Sequence, residues 1–355
     1  MEPSGNRWAG TDASPVYHGG DLAQVRNRFP DAPEPWIDLS TGINPCPYPI
    51  PPIPAEAWTR LPEAAEVSDL ERVAAEAYGA HDRFHVAATP GTQAAIQMLP
   101  RLLAGARVGI LGFTYQEHAR VWREAGREVE IVERATDLAR FDIGLLVNPN
   151  NPDGRMVSTD ELAALALDMA AAGRRLIVDE AFVDVMEEGA SLAPRLPMGR
   201  AIVLRSFGKT WGLAGLRLGF CLGDADFTRS MRAAFGPWAV SGPAIAIGRA
   251  ALADRPWLEA AVARLKRDAD RLDALTTAAG CPTVGGTPLY RLIRSSNAER
   301  FAEHLAEAGI HVRRFPHAPD LLRLGLPGEA AAWTRLEAAL RSASSQQRAR
   351  SDYAG

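Results

Sequence analysis

The sequence lacks the features that mark several classes of protein. It has three cysteines in 355 residues, far apart and without CxxC spacing. They support neither a disulfide framework nor a zinc ribbon, and they fit a reducing cytoplasm. No run reaches the roughly 18 apolar residues of a membrane span, and the first ten residues lack the apolar core of a secretory signal. We therefore expect a cytoplasmic protein without a membrane partner.

The sequence also lacks a large excess of charge of either sign. The 39 basic and 43 acidic side chains give a net charge of -4, which provides no case for a nucleic-acid partner. Seven scattered histidines show no metal-ligand spacing, so we expect no metal site. Only two of the 39 basic residues are lysines, Lys209 and Lys266. Because the chain otherwise uses arginine, the place of each lysine is informative.

The order of apolar runs predicts an α/β protein with an arm and two domains. Residues 1–50 form the N-terminal arm, 51–255 the large domain, 256–341 a smaller α+β domain and 342–355 a disordered tail. Crowded prolines make the stretch before residue 60 irregular. In the large domain, strands alternate with helices, which indicates a largely parallel sheet. The predicted strands span 107–111, 128–132, 143–147, 176–179, 201–205 and 218–222, and the predicted helices span 92–103, 117–125, 159–172 and 243–253.

Four polar segments stand at or near the carboxyl ends of predicted strands, the edge where open α/β sheets bind ligands. They are residues 89–93 (TPGTQ), 148–154 (NPNNPDG), 178–182 (VDEAF), and 206–210 (SFGKT) with 215–219 (GLRLG). Each alone has a plainer reading: a helix cap, a turn, a surface acid pair and a solvated basic loop. The segment at 206–210 is not a P-loop, because Val203 stands where that motif needs a glycine.

Taken together, the four segments resemble the fold-type I pyridoxal-phosphate enzymes of the aspartate aminotransferase superfamily. The nearest branch holds histidinol-phosphate aminotransferases and threonine-phosphate decarboxylases, and the resemblance covers roughly residues 18–340. It implies a large, mostly parallel seven-stranded-type sheet domain, a smaller α+β domain and an N-terminal arm. It also implies a homodimer with the active site at the subunit interface.

The resemblance assigns roles around pyridoxal 5'-phosphate. Lys209 supplies the amine for a Schiff base, and Asp179 keeps the pyridine nitrogen protonated. Asn151 donates to the ring hydroxyl, and Tyr115 covers the ring face or is an ordinary core aromatic. The cofactor phosphate falls to the Gly91 and Thr92 amides, Ser206 and Arg217.

Two positions depart from the pattern of many relatives. Phe182 stands where they carry a tyrosine whose hydroxyl reaches the ring oxygen. Leu61 stands where the neighbouring subunit donates a tyrosine hydroxyl to the cofactor phosphate. Neither side chain can donate a hydrogen bond, so we expect weaker cofactor binding or a replacement donor.

The arm bears on the reaction. HGG at residues 18–20, followed by DLSTGINP at 38–45, resembles threonine-phosphate decarboxylases of cobalamin biosynthesis. By this resemblance His18, Gly19, Asn44 and Asn151 contact the substrate. The plainer reading makes His18 a solvated arm residue and Asn44 a turn former.

The small domain supplies two arginines that match family positions. Arg323 is the carboxylate clamp, because a guanidinium grips a carboxylate through two hydrogen bonds. Arg313 is the candidate for the substrate phosphate. Arg314 and Arg291 are open alternatives, and in a chain this rich in arginine any of them could instead form a surface salt bridge.

The expected reaction is decarboxylation of L-threonine O-3-phosphate to (R)-1-amino-2-propanol O-2-phosphate, which serves cobalamin biosynthesis. An alternative is an aminotransferase acting on histidinol phosphate or an aromatic amino acid, since the cofactor residues are the same. An alternative from another class is a cofactor-binding regulator. That one needs a DNA-binding domain, and the residues before Thr89 are expected to be too irregular to form it.

Overall fold

The computed structural model describes residues 19–351, with side chains for residues 19–343. His18 lies outside the described residues. The chain divides into two compact units. The large unit holds Pro47–Asn151 and Arg155–Glu259, and the small unit holds residues 19–46, Pro152–Gly154 and the residues from Ala260 onward.

The strands and helices are numbered in chain order. The strands are β1 (Ile37–Asp38), β2 (Val86–Thr89), β3 (Arg107–Leu111), β4 (Glu128–Val132), β5 (Ile143–Val147), β6 (Arg175–Asp179), β7 (Ile202–Ser206), β8 (Gly219–Leu222), β9 (Thr283–Thr287), β10 (Tyr290–Arg294), β11 (Ile310–His311), β12 (Arg313–Arg314) and β13 (Leu321–Gly325). The helices are α1 (Leu22–Arg28), α2 (Ala55–Thr59), α3 (Ala64–Tyr78), α4 (Thr92–Leu102), α5 (Gln116–Glu124), α6 (Thr159–Ala171), α7 (Phe207–Thr210), α8 (Ala225–Phe235), α9 (Gly242–Ala253), α10 (Arg255–Ala278), α11 (Ala298–Glu307) and α12 (Ala330–Ser351).

The large unit is built on a sheet of order β2-β8-β7-β6-β5-β3-β4. Strands β7, β6, β5, β3 and β4 are parallel, and β8 runs antiparallel to both β7 and β2. Strands β5 and β7 are buried at every residue, which is why both contain apolar runs in the sequence, although β7 ends in Arg205 and Ser206. Apolar clusters line both faces of the sheet, with Val178 and Val203 in one and Ile177 and Leu204 in the other. The carboxyl ends of the parallel strands therefore share one edge.

The stretch expected to be irregular contains helices, so that expectation is wrong. Helix α3 begins with a capping box in which Glu63 and Glu66 each accept from the other's backbone amide, and it buries Leu70 and Tyr78. Pro54 is the N-cap of α2. The prolines at residues 47–54 lie in a stretch without helix, as expected, and α2 begins directly after it at Ala55.

The small unit contains an antiparallel sheet of order β12-β13-β10-β9, together with α11 and α12. The arm belongs to this unit, because β1 pairs in parallel with β11. The boundary between the units falls inside α10, after Glu259, four residues beyond the predicted domain boundary. Helix α12 continues to Ser351 through part of the segment expected to be a disordered tail, since no glycine or proline interrupts it. Among residues 19–351, no helix is long and apolar enough to cross a membrane.

Candidate active site

Strand register brings the predicted phosphate-binding residues together in the large unit. Gly219 pairs with Thr89 on one side and with Ser206 on the other. The turn that starts α4 therefore lies beside the end of β7. A Cβ built on Gly219 would stand 2.6 Å from the amide nitrogen of Thr92, so only glycine allows this approach.

Gly91 and Arg217 complete the group of predicted phosphate-binding residues. Gly91 has φ +80° and is the N-cap of α4. Its missing side chain leaves room for Arg217, whose Nη2 lies 2.6 Å from the place of a Cβ. Arg217 itself has φ 55°, a conformation that non-glycine residues seldom adopt. Helix N-terminal amides beside a guanidinium suit a phosphate, so these residues fit the phosphate of pyridoxal phosphate.

Asp179 ends strand β6 and is 3% exposed. Its Oδ1 accepts a hydrogen bond from the Ala181 amide at 3.1 Å, and its Oδ2 lies 2.8 Å from Nε2 of His118. His118 is fully buried on α5. Sequence reasoning missed it, although it stands three and four residues before the buried Val121 and Trp122 on one helix face. A histidine among buried apolar positions was the available signal.

Tyr115 is held by a short polar chain. Its hydroxyl donates to Oε1 of Gln93 at 3.0 Å, and Nε2 of Gln93 donates to the buried Glu117 at 2.7 Å. The Tyr115 ring meets the His118 ring edge-on, with centroids 5.9 Å apart. Its ring contact places Tyr115 beside the His118–Asp179 pair, and the same side chain packs against an apolar cluster of the large unit.

Lys209 lies on the short helix α7, directly after β7, and is half-buried. Asp179 pairs with Leu204 in the sheet, so Asp179 and Lys209 project from neighbouring strand ends. The Lys209 Nζ lies 5.7 Å from the ring centroid of Phe182, which is buried. The other lysine, Lys266, is exposed on α10. Among the described residues, Lys209 is thus the lysine at this edge of the sheet.

The loop after β5 places Asn151 at the same edge. The Asn148 side chain exchanges two hydrogen bonds with the backbone of Val157, at 2.8 and 3.1 Å. The amide nitrogen of the Asn150 side chain donates to the Phe113 carbonyl at 3.0 Å. Asn151 follows and is half-buried. The neighbouring asparagines therefore shape the loop, and Asn151 is carried on it.

In the small unit, Arg313 and Arg323 face each other across β12 and β13. Arg323 is 3% exposed, and its Nη2 donates to the Ser40 carbonyl at 2.7 Å. Burial, together with the charge of Arg313, lowers the pKa of Arg323 to about 9. Like charges directly opposite on a sheet repel, so the pair is suited to an anion that neutralises both.

The two alternative arginines already have carboxylate partners. Arg291 forms two hydrogen bonds to Asp273, at 2.7 and 2.6 Å, and Arg314 lies 3.6 Å from Glu299. Both of these carboxylate partners lie within the small unit.

The described part of the arm packs around Ser40. The Ser40 hydroxyl donates to Asp38 at 2.6 Å and accepts from the Gly20 amide at 2.8 Å. Gly19 leaves no room for a side chain, since its Cβ would stand 2.3 Å from the Ser40 carbonyl oxygen. Asn44 is buried, and its Oδ1 accepts from the Cys46 amide at 3.0 Å and from Arg264 at 2.8 Å. The bond from the Cys46 amide is the one expected of a turn former, and the bond from Arg264 ties that turn to α10.

Comparison with known proteins defines the class. The model of the family "aminotransferase class I and II" matches residues 56–339, so the chain belongs to this family. The predicted family and fold class are thereby confirmed.

Within this family, the chain is similar to threonine-phosphate decarboxylases and to histidinol-phosphate aminotransferases. The chain is 43% identical over 328 residues to a threonine-phosphate decarboxylase of Pseudomonas aeruginosa, covering 92% of this chain and 97% of the relative. A histidinol-phosphate aminotransferase of a Nostoc species is 30% identical over 56% of each chain. Among solved structures, the histidinol-phosphate aminotransferase of Sinorhizobium meliloti in complex with pyridoxal-5'-phosphate has a TM-score of 0.77 at 18% identity, covering 94% of this chain and 96% of that one. The L-threonine-O-3-phosphate decarboxylase of Porphyromonas gingivalis has a TM-score of 0.71 at 21% identity, covering 86% and 98%.

Proposed function

We propose that this chain is a pyridoxal-phosphate-dependent carboxy-lyase that converts L-threonine O-3-phosphate to (R)-1-amino-2-propanol O-2-phosphate. The observation that carries the proposal is the 43% identity to threonine-phosphate decarboxylases along 97% and 98% of their length. The likeness to the Nostoc aminotransferase covers only 56% of that protein. The product is a building block of the nucleotide loop of cobalamin, so the enzyme serves cobalamin biosynthesis.

The large unit holds the cofactor in this proposal. The Gly91 and Thr92 amides, Ser206 and Arg217 bind its phosphate, and the Lys209 amine binds its aldehyde carbon. When bound, pyridoxal phosphate supplies an electron sink for the bond that breaks at the substrate Cα.

Other residues of the large unit orient the ring. Asp179, held in place by His118, keeps a proton on the pyridine nitrogen. Asn151 donates to the ring oxygen, and Tyr115 packs against the ring face. Phe182 lies where many relatives have a tyrosine and offers only an apolar edge.

The small unit recognises the two anionic groups of the substrate. Arg323 binds the carboxylate, and Arg313 binds the phosphate, because their cross-strand placement offers two adjacent guanidinium groups. The arm contributes His18, Gly19 and Asn44, and Asn151 also contacts the substrate. The incoming substrate amine would displace Lys209 from the aldehyde carbon, and after CO2 has left, the freed Lys209 amine would deliver a proton to Cα, which yields the amine product and suppresses transamination.

Turnover without a keto acid tests the reaction. The purified protein is incubated with pyridoxal phosphate and L-threonine O-3-phosphate, and CO2 and aminopropanol phosphate are measured by mass spectrometry. We expect catalytic release of both. Absence of CO2, with conversion of histidinol phosphate once 2-oxoglutarate is added, would instead establish an aminotransferase.

The two lysines provide a matched pair of variants for the cofactor site. Lys209→Ala should abolish the absorbance at about 410–430 nm that a lysine-bound cofactor gives, whereas Lys266→Ala should retain it. The reason is that Lys209 lies at the carboxyl edge of the sheet and Lys266 is exposed on α10. Retention of the band in Lys209→Ala and its loss in Lys266→Ala would move the covalent link to Lys266.

We also propose that the protein is a homodimer of the cytoplasm. Trp58, Leu61 and Trp238 of the large unit are 67%, 63% and 60% exposed, and large apolar side chains in such positions are typical of interfaces. Helix α2 carries Trp58, and α9 begins shortly after Trp238. The two helices are in contact, because Gly242 of α9 lies against the Ala57 carbonyl of α2. A second copy of this chain is the occupant that the family resemblance implies. Sedimentation of Trp58→Glu and Trp238→Glu should show monomers, and a dimer unaffected by both would contradict this interface.

A further inference from the structure

The acid beside Asp179 has no role in the function proposed above, yet it is fully buried. Glu180 belongs with Asp184 and Arg205 to what we call the charge cluster. The three side chains are at most 5% exposed. Nη1 of Arg205 lies 3.3 Å from Oε2 of Glu180, and Nη2 donates to Oδ1 of Asp184.

Glu180 also accepts hydrogen bonds from outside the charge cluster. Glu180 accepts from the Leu192 amide at 2.7 Å and from the Ser191 hydroxyl at 2.5 Å. Burial raises the pKa of both Glu180 and Asp184, and Arg205 opposes that rise. A buried ion pair of this kind is weak as a source of stability, since apolar residues of similar size often serve as well. Its presence beneath an active site therefore calls for another reason.

The position of the charge cluster between the segments that carry Asp179 and Lys209 provides that reason. Residues 179–185 carry Asp179 together with the two cluster acids, and residues 205–210 carry Arg205 together with Lys209. The salt bridges of Arg205 therefore join the segment of the ring-nitrogen carboxylate to the segment of the lysine. Thr210, the residue after Lys209, adds a contact from its hydroxyl to Oδ2 of Asp184 at 3.5 Å.

We propose that Glu180, Asp184 and Arg205 are positioning residues that clamp α7 and so set the place of the Lys209 amine relative to Asp179. The charge cluster holds α7 at two points, through Arg205 near the end of β7 and through Thr210 on α7 itself. This inference rests on the proposed role of Lys209 as the cofactor-binding lysine, and it adds residues that touch neither cofactor nor substrate.

The test measures how fast Lys209 forms its covalent link. Apo-protein is mixed with pyridoxal phosphate, and the rise in absorbance at about 410–430 nm is followed. Borohydride reduction and peptide mass spectrometry on the wild type first establish that the link is at Lys209, with exposed Lys266 as the internal reference. Failure at that step overturns the proposed role of Lys209, and it is distinct from failure of the clamp.

Two variants then test whether the charge cluster positions Lys209. Asp184→Asn removes the charge, and Thr210→Val removes only the hydroxyl that contacts Asp184. We expect both to slow formation of the link by about tenfold, because a displacement of about 1 Å at a reacting atom costs up to about a hundredfold in rate. Thr210→Ser keeps the hydroxyl and should restore the wild-type rate.

Asp224→Asn is the matched control. Asp224 pairs with Arg175 at 3.0 Å, at the opposite end of strand β6 from Asp179. Its loss should lower the melting temperature yet leave the rate within about twofold of wild type, because distant sites act independently. If Asp184→Asn fails to fold, Thr210→Val decides. Wild-type rates in Thr210→Val, or equal slowing in Asp224→Asn, would overturn the proposal.

Discussion

Two buried arginines occupy opposite electrostatic environments, and this difference can be measured. Against the lowering effect of burial, Asp184 and Glu180 raise the pKa of Arg205. Burial and the facing Arg313 lower the pKa of Arg323 well below its ordinary value, to about 9. At about 1.4 kcal/mol for each pH unit, holding Arg323 charged in the folded, ligand-free protein costs about 5 kcal/mol.

Replacing Arg323 with methionine removes that cost and keeps an apolar stem of similar length. The variant loses the hydrogen bond to the Ser40 carbonyl, and a bond from a charged donor contributes about 1.5–3 kcal/mol. We therefore expect Arg323→Met to raise the free energy of unfolding by about 2 kcal/mol at pH 7.5 while abolishing decarboxylation. Arg205→Met is the comparison variant, because it leaves two buried carboxylates without their cation and should cost about 3–5 kcal/mol.

The pH dependence provides an independent check of sign. In the unfolded chain the pKa of Arg323 has its ordinary, higher value, whereas in the folded protein that pKa is lowered to about 9. Where the unfolded state binds more protons, stability rises with pH. The wild type should therefore gain stability relative to Arg323→Met as pH rises through 9, and the advantage of the variant should shrink between pH 7.5 and 10.

Denaturant unfolding of the three proteins at both pH values, without substrate, measures these differences. L-threonine O-3-phosphate should then stabilise the wild type and leave Arg323→Met unchanged, since only the wild type binds it. The reasoning is refuted if Arg323→Met is destabilised at pH 7.5 as much as Arg205→Met, or if its offset from wild type is the same at pH 10.

Two further substitutions probe the cofactor site. Gly91→Ala forces a side chain at φ +80° and places its methyl 2.6 Å from Nη2 of Arg217, so titration of apo-protein should show pyridoxal-phosphate affinity lower by about tenfold. Gly126→Ala has φ +75° with nothing within 4 Å, and it should lose stability while keeping that affinity. His118→Phe removes the 2.8 Å partner of Asp179 and should weaken cofactor binding by about tenfold, the equivalent of about 1.4 kcal/mol, in the same titration. Equal affinities in Gly91→Ala and Gly126→Ala, or wild-type affinity in His118→Phe, would contradict these roles.

The central strand β5 could be predicted from sequence because it is buried at every residue, whereas the edge strand β4 shows the alternation of charged and apolar residues typical of a half-exposed strand. Strands β3, β4 and β5 occupy the residues predicted for them. A central parallel strand must be apolar throughout, and it leaves a contiguous mark that needs no knowledge of its neighbours. Helices α3 and α8 left a weaker mark, because about half of each faces solvent and their apolar residues are interspersed with charged ones.

The sequence by itself determined the family and six of the seven strands of the large sheet, and it singled out candidate groups: one lysine, one strand-end carboxylate and glycines beside a helix N-terminus. Only the tertiary structure decided which groups meet. His118 reaches Asp179 across 61 residues, and Arg313 faces Arg323 through strand register. Glu180 reads as a surface acid until β7 brings Arg205 beside it. Such pairs depend on long-range packing, and no local periodicity records them because the partners share neither a helix nor a strand.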